Sequence, residues 1–218
     1  AELYNVLKKQ IDLRVEMSKQ YGMDLRSKSD AQIAETVIKS ELTKITGKEY
    51  KPPKLPDNYG FYYQDPKILS FESDNLKDVF SKILKERFVL GDNGSVIIPN
   101  WLKTDRVIVA DKEYQMGIGG LHSCEKRQYI KVKKGWVLED RDASSYYPNI
   151  ILQQQLAPES LGVPFLKVYE SIVNRRLKAK KEGDKLTSDV LKITINGSFG
   201  KLGSKYSSLY APDLLIQT

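Results

Sequence analysis

One cysteine and one histidine are all that this 218-residue sequence has of either. With Cys124 alone no internal disulfide can form, and a reducing cytoplasm is the expected compartment. With His122 alone, neither a His-based zinc site nor a His-dependent catalytic triad is expected. No apolar run approaches the roughly 20 residues a membrane-spanning helix needs, and no secretory leader is legible. No membrane partner is therefore expected. Internal repeats and low-complexity tracts are also missing.

What is present is an ordinary globular composition, 40% apolar and 29% charged, with a net charge of +7 and a pI near 9.2. The length suits one large domain or two small ones. A positive excess favours a polyanionic partner, and here it is concentrated. Between Val163 and Leu209 stand ten Lys or Arg against four Asp or Glu. The sequence opens on Ala1 and stops at Thr218, which reads as a piece excised from something longer.

Apolar spacing predicts helices through the first half. Leu3, Val6, Leu7, Ile11 and Val15 mark one. Ser29 and Gln32 form a capping box for a second, whose stripe is Ala34, Val37, Ile38, Leu42 and Ile45, and Gly47 ends it. A proline-rich connector follows from Lys51. Leu76, Val79, Phe80, Ile83, Leu84 and Phe88 share the face of a third helix. Strand patterns then take over: Val96 onward after a Gly-Asp-Asn-Gly turn, Arg106 to Ala110, and a return through Tyr114 and Met116. A further hairpin is expected from Tyr129 to Val132 and Trp136 to Asp142, around a turn at 133–135. Pro148 suits the first turn of a helix. Pro164 opens a long helix to about Lys181, 182–184 turns the chain, and a last helix runs to Gly200.

Four groups of residues in this second half bear on chemistry. Asp142 ends an apolar strand, where a carboxylate is a natural ligand for Mg²⁺; a helix N-cap or a surface ion pair with Arg141 or a nearby lysine is the plainer alternative. On the long helix, Phe165, Tyr169, Ile172, Arg176 and Lys180 lie on one face, so an apolar stripe continues into two cations. On the last helix Lys192, Asn196 and Phe199 share a face. Gly197 and Gly200 cost about 1 kcal/mol each inside a helix, which makes sense where something packs closely on the backbone. If the two helices are antiparallel, Arg176, Lys180 and Lys192 converge on a volume that fits a triphosphate; the alternative is a solvated basic face. Tyr146 and Tyr147 are either core aromatics or the floor of a sugar pocket. Trp101, His122 and Cys124 are assigned to packing.

The run Asp142-Ala-Ser-Ser-Tyr-Tyr-Pro-Asn-Ile-Ile resembles the Asp-x-x-Ser-Leu-Tyr-Pro-Ser-Ile-Ile signature of family B DNA polymerases, most of all those of bacteriophages and prophages. Lys192-x-x-x-Asn196-Gly-Ser-Phe199-Gly200 is similar to that family's Lys-x-x-x-Asn-Ser-x-Tyr-Gly signature. Ile118-Gly119-Gly120 resembles its template-contacting Gly-Gly element. The resemblance covers about residues 114–214. It implies nucleotidyl transfer from a dNTP to a primer 3′-hydroxyl, with primer–template DNA as partner, two Mg²⁺ as cofactors and a bacterial host cytoplasm as the location. By position, Asp142 and the Ala143 carbonyl would bind metal, and Tyr147 would exclude a ribose 2′-hydroxyl. Arg176, Lys180 and Lys192 would hold the triphosphate, and Lys192 would assist the leaving pyrophosphate. Asn196 and Phe199 would line the base pair, and Gly119, Gly120, Lys201 and Lys205 would meet DNA.

The sequence also departs from the pattern. Tyr146 stands where the family has Leu, Gly197 where it has Ser, Phe199 where it has Tyr, and Asp140 charges a strand normally apolar. The family's second catalytic aspartate, in an Asp-x-Asp hairpin, is not found, so this chain by itself is expected to be an inactive portion needing the remaining polymerase domains. The expected fold is α+β: an antiparallel palm-like sheet with helices and a protruding two-helix fingers element. Its divisions are a helical segment over 1–50, a connector and helix over 51–105, palm strands with the catalytic Asp over 106–160, fingers over 161–203 and a return to the palm over 204–218. The alternative is a non-catalytic basic module that binds DNA or nucleotide.

Overall fold

The computed structural model describes residues 2–117, 120–143 and 145–218. Among them are eight helices and two small antiparallel sheets, an α+β arrangement whose amino-terminal part is helical. Helices α1 (Glu2–Tyr21) and α2 (Asp30–Thr46) come first. Strand β1 (Gly60–Tyr62), helix α3 (Asp74–Lys85), β2 (Arg87–Leu90) and β3 (Val96–Ile97) build the first sheet, in the order β1-β2-β3. A short α4 (Asn100–Thr104) leads to the second sheet, β4 (Val107–Val109), β5 (Lys112–Gly117) and β6 (Gly120–Ser123), in the order β4-β5-β6. Helices α5 (Tyr146–Gln153), α6 (Val163–Lys181), α7 (Lys185–Leu202) and α8 (Pro212–Gln217) complete the chain.

The main core is helical. Phe165, Tyr169 and Ile172 of α6 pack with Leu191 and Ile195 of α7, and Ile38 and Leu42 of α2 join them in the same cluster. A neighbouring cluster gathers Met17, Tyr21 and Leu25 with Ile33, Val37 and Val190. Fully burying an aliphatic side chain of this kind contributes roughly 1.5–3 kcal/mol. The α6–α7 hairpin is therefore not free-standing: α2 covers one side of it. Helix α2 is sharply bounded. Ser29 accepts from the Gln32 amide while the Gln32 side chain accepts from the Ser29 amide, and Gly47 closes the helix at φ +67°.

The first expected helix forms as α1, with Leu3, Val6, Leu7 and Ile11 facing solvent, because α1 reaches its neighbours only from about Leu13 onward. Two expectations need correction. Phe88 leaves the helical stripe: α3 ends at Lys85, and Phe88 is buried in β2 opposite Phe61, its ring 5.8 Å away. Burial in the sheet overrides the helical spacing. The second correction matters more. Residues 124–143 contain no strand and every one is exposed. The expected turn does form, with the Trp136 amide donating to the Lys133 carbonyl at 3.0 Å and Gly135 at φ +87°. The ladder does not, since a two-stranded hairpin alone is marginal in water.

Candidate functional site

At the junction of α5, α6 and α7 the two halves of the sequence pattern meet. Ser145 precedes α5 at φ +53°, a left-handed conformation uncommon outside glycine. Its Oγ accepts from Arg176 Nη1 at 3.1 Å, a bond spanning 31 residues of sequence. Arg176 lies on the α6 face of Phe165, Tyr169 and Ile172, each at most 2% exposed, so the apolar stripe delivers the guanidinium half-buried. Its Nε is buried with no hydrogen-bond partner.

The aromatic half of the site is equally specific. Tyr147 and Phe199 stack with ring centroids 4.6 Å apart and planes 19° from parallel. Tyr146 adds an edge contact to Tyr147 at 5.6 Å while remaining exposed. Of the two readings of the tyrosine pair, neither is a fully buried core residue. The rings form a partly open shelf between the starts of α5 and the end of α7.

The helix hairpin sets the height of the cations. Asp184 caps α7 by accepting from the Thr187 amide at 3.0 Å. Burial pushes the Tyr169 hydroxyl up to about 12, with the Ser198 hydroxyl beside it acting in the opposite direction. Seven residues on from Tyr169 is Arg176, and seven back from Ser198 is Leu191. Arg176 therefore stands level with Leu191 and its neighbour Lys192. Leu191 is buried and Lys192 exposed, so Lys192 and Asn196 lie on the open face of α7, one helical repeat apart, in line with Phe199. Lys180 is exposed one turn beyond Arg176.

The two glycines of α7 separate cleanly. A methyl group at Gly197 would lie 2.7 Å from the Asp30 carbonyl and 2.8 Å from Ala34 Cβ, so this residue lets α2 pack onto the α7 backbone. At Gly200 nothing stands within 4 Å. The close neighbour expected for both is present for one.

The residues assigned to DNA have other engagements. Lys201 Nζ is 2.9 Å from Glu35, whose carboxylate also accepts from the Ser208 amide at 2.7 Å and its hydroxyl at 3.2 Å. Lys205 donates to the Asp92 carbonyl at 2.8 Å, beside Tyr210, which donates to the Gly94 carbonyl at 2.5 Å. Gly120 begins β6 opposite Gly117 at φ +127°, and Gly119 lies outside the described residues. The Glu35 network, which ties α2 to the end of α7, carries no signal in the sequence.

Asp142 and Ala143 sit on the exposed segment without a strand. The Arg141 guanidinium is bonded to Glu139, which removes the Arg141 pairing considered for Asp142. Magnesium takes hard oxygen ligands, and Asp142 and Ala143 offer one carboxylate and one carbonyl. Among the described residues no three His, Cys, Asp or Glu side chains gather. Two such donors on an exposed segment do not make a two-ion centre. No helix among the described residues is long and apolar enough to cross a membrane.

Comparison of the chain with protein families, with curated proteins and with solved structures finds no match.

Proposed function

We propose that this chain carries the nucleotide-binding part of a DNA polymerase resembling family B, and that the α5–α6–α7 junction receives a deoxynucleoside triphosphate. The observation that carries the reading is the meeting of the two signatures: Ser145 bonded to Arg176 across 31 positions, with Tyr147 stacked on Phe199. Residues alike in sequence to two separate polymerase motifs thus occupy one site.

Within that reading each side chain has a task. Arg176 and Lys192, level on neighbouring helices, bind phosphate oxygens. The guanidinium holds its partner in a fixed fork and the ammonium acts as a mobile point charge. Lys180 extends the positive field outward. The Tyr147–Phe199 shelf supports the sugar and base, Tyr147 excludes a 2′-hydroxyl by bulk, and Asn196 reaches the base pair from the open face of α7. Primer–template DNA is the second partner.

Titration with a fluorescent deoxynucleoside triphosphate tests the reading. Lys192→Ala should lower affinity at least about tenfold, as loss of a charge-assisted contact requires. Helical circular dichroism should stay unchanged, since Lys192 is exposed. Unaltered triphosphate affinity would remove Lys192 from the site. Salt-sensitive binding of DNA that ignores Lys192 would favour a basic DNA-binding module instead.

A further inference from the structure

Between β6 and α5 the chain divides its charge. Lys126, Arg127, Lys131, Lys133 and Lys134 fall within residues 126–134 with no acid among them. All five are exposed, and among the described residues none has an acidic partner. The nearest acids are engaged elsewhere or lie apart. Lys112 is 3.3 Å from Glu125, Arg141 bonds Glu139, and Asp140 and Asp142 come later still. A run of like charges of this kind repels itself in water, and a polyanion relieves the repulsion.

Two aromatic rings are interleaved with these cations. Tyr129 is 89% exposed and Trp136 75%, so neither belongs to a core. A solvated basic face would account for the lysines alone, but not for two large rings left in water among them. The turn that joins the Trp136 amide to the Lys133 carbonyl puts Tyr129 before the bend and Trp136 after it. Unpaired bases offer open π-faces between successive phosphates, and rings set among cations match that alternation. A duplex, with its bases stacked inside, offers this segment phosphates only. The placement also suits a strand passing the nucleotide site. The segment leads to Ser145 and α5, whose Tyr147 forms the aromatic shelf, and the chain from Trp136 to Ser145 reaches up to about 30 Å when extended.

We propose that residues 126–136 form a binding surface for single-stranded DNA, with Tyr129 and Trp136 stacking on bases and the five cations meeting phosphates. The choice of DNA as the strand rests on the nucleotide reading. The surface itself does not, since none of its residues belongs to that site.

Fluorescence anisotropy of a labelled oligodeoxythymidine, titrated with the full chain, tests it. Tyr129→Ala and Trp136→Ala should each weaken binding about five- to a hundredfold, the worth of one stacked base. Replacing Lys131, Lys133 and Lys134 together by Ala should make the log–log salt dependence shallower by about 2. Helical circular dichroism and triphosphate affinity should stay unchanged in every variant, because the segment is exposed and holds no helix. Undiminished oligonucleotide affinity in both aromatic variants would overturn the proposal. So would equally tight binding of the matching duplex, tighter binding of an oligouridine, or binding to anionic phospholipid vesicles with the oligonucleotide left free. Each of these results leaves the nucleotide reading standing, because that reading is decided by triphosphate affinity in Lys192→Ala.

Discussion

Two glycines three residues apart on α7 make opposite demands on substitution. Gly197→Ala forces a methyl group against the α2 backbone. We expect a loss of about 1–3 kcal/mol, the usual cost of overpacking a close helix contact. Gly200→Ala adds its methyl in open space and should stabilise by about 0.5–1 kcal/mol through reduced backbone freedom of the unfolded chain. Urea denaturation of the two variants reads both signs. Similar losses in both would show that something covers Gly200. The sequence marked these positions as unusual but had no means of separating them, because the distinction depends on which face of α7 meets α2.

Among the elements, α2 is the one whose ends are most legible and whose position is least so. Its capping box and terminal glycine are local chemistry, readable from residues 29–32 and 47. Its packing on α7 joins residues about 160 apart in sequence and leaves no local mark. Because α2 covers the α6–α7 core, a local loss at its cap is felt globally. Ser29→Ala should cost about 1 kcal/mol, lowering the midpoint of thermal unfolding by roughly 2–4 °C in a chain of this size. A change restricted to fraying at the start of α2, with the midpoint unmoved, would show that the helix does not unfold with the core.

For the molecule as a whole, the Glu35 network ties the amino-terminal helices to the segment after α7, and it gives acid sensitivity a specific origin. Burial alone would push the Glu35 carboxyl up. The hydrogen bond from Lys201, the Ser208 amide and the Lys201 charge outweigh it and hold the group below its ordinary 4.5. A carboxyl lowered in the folded state contributes stability above its unfolded value, and that contribution disappears as pH falls through the folded one. Thermal unfolding midpoints should therefore drop as the pH is taken below 4.5, and Glu35→Gln should flatten that part of the profile. Equal acid slopes in the two proteins would place the sensitivity elsewhere, for instance at Asp24, which the Arg26 side chain holds at about 2 on the surface.

The helices that became α1, α2, α6 and α7, the caps of α2, the turn at 182–184 and the grouping of Arg176 with an apolar stripe were all determined by the sequence itself, because 3.6-residue spacing and capping act over a few neighbours. The same local chemistry placed the 133–135 turn. Whether strands formed on either side of that turn, whether Phe88 belonged to a helix or a sheet, and which lysines were already paired were decided only in three dimensions. Each depends on a partner distant in sequence: Phe61 for Phe88 and Glu35 for Lys201, while residues 129–142 meet no such strand partner among the described residues. Strand ladders and buried ion pairs exist only once such partners arrive, and no spacing rule along the chain encodes that meeting.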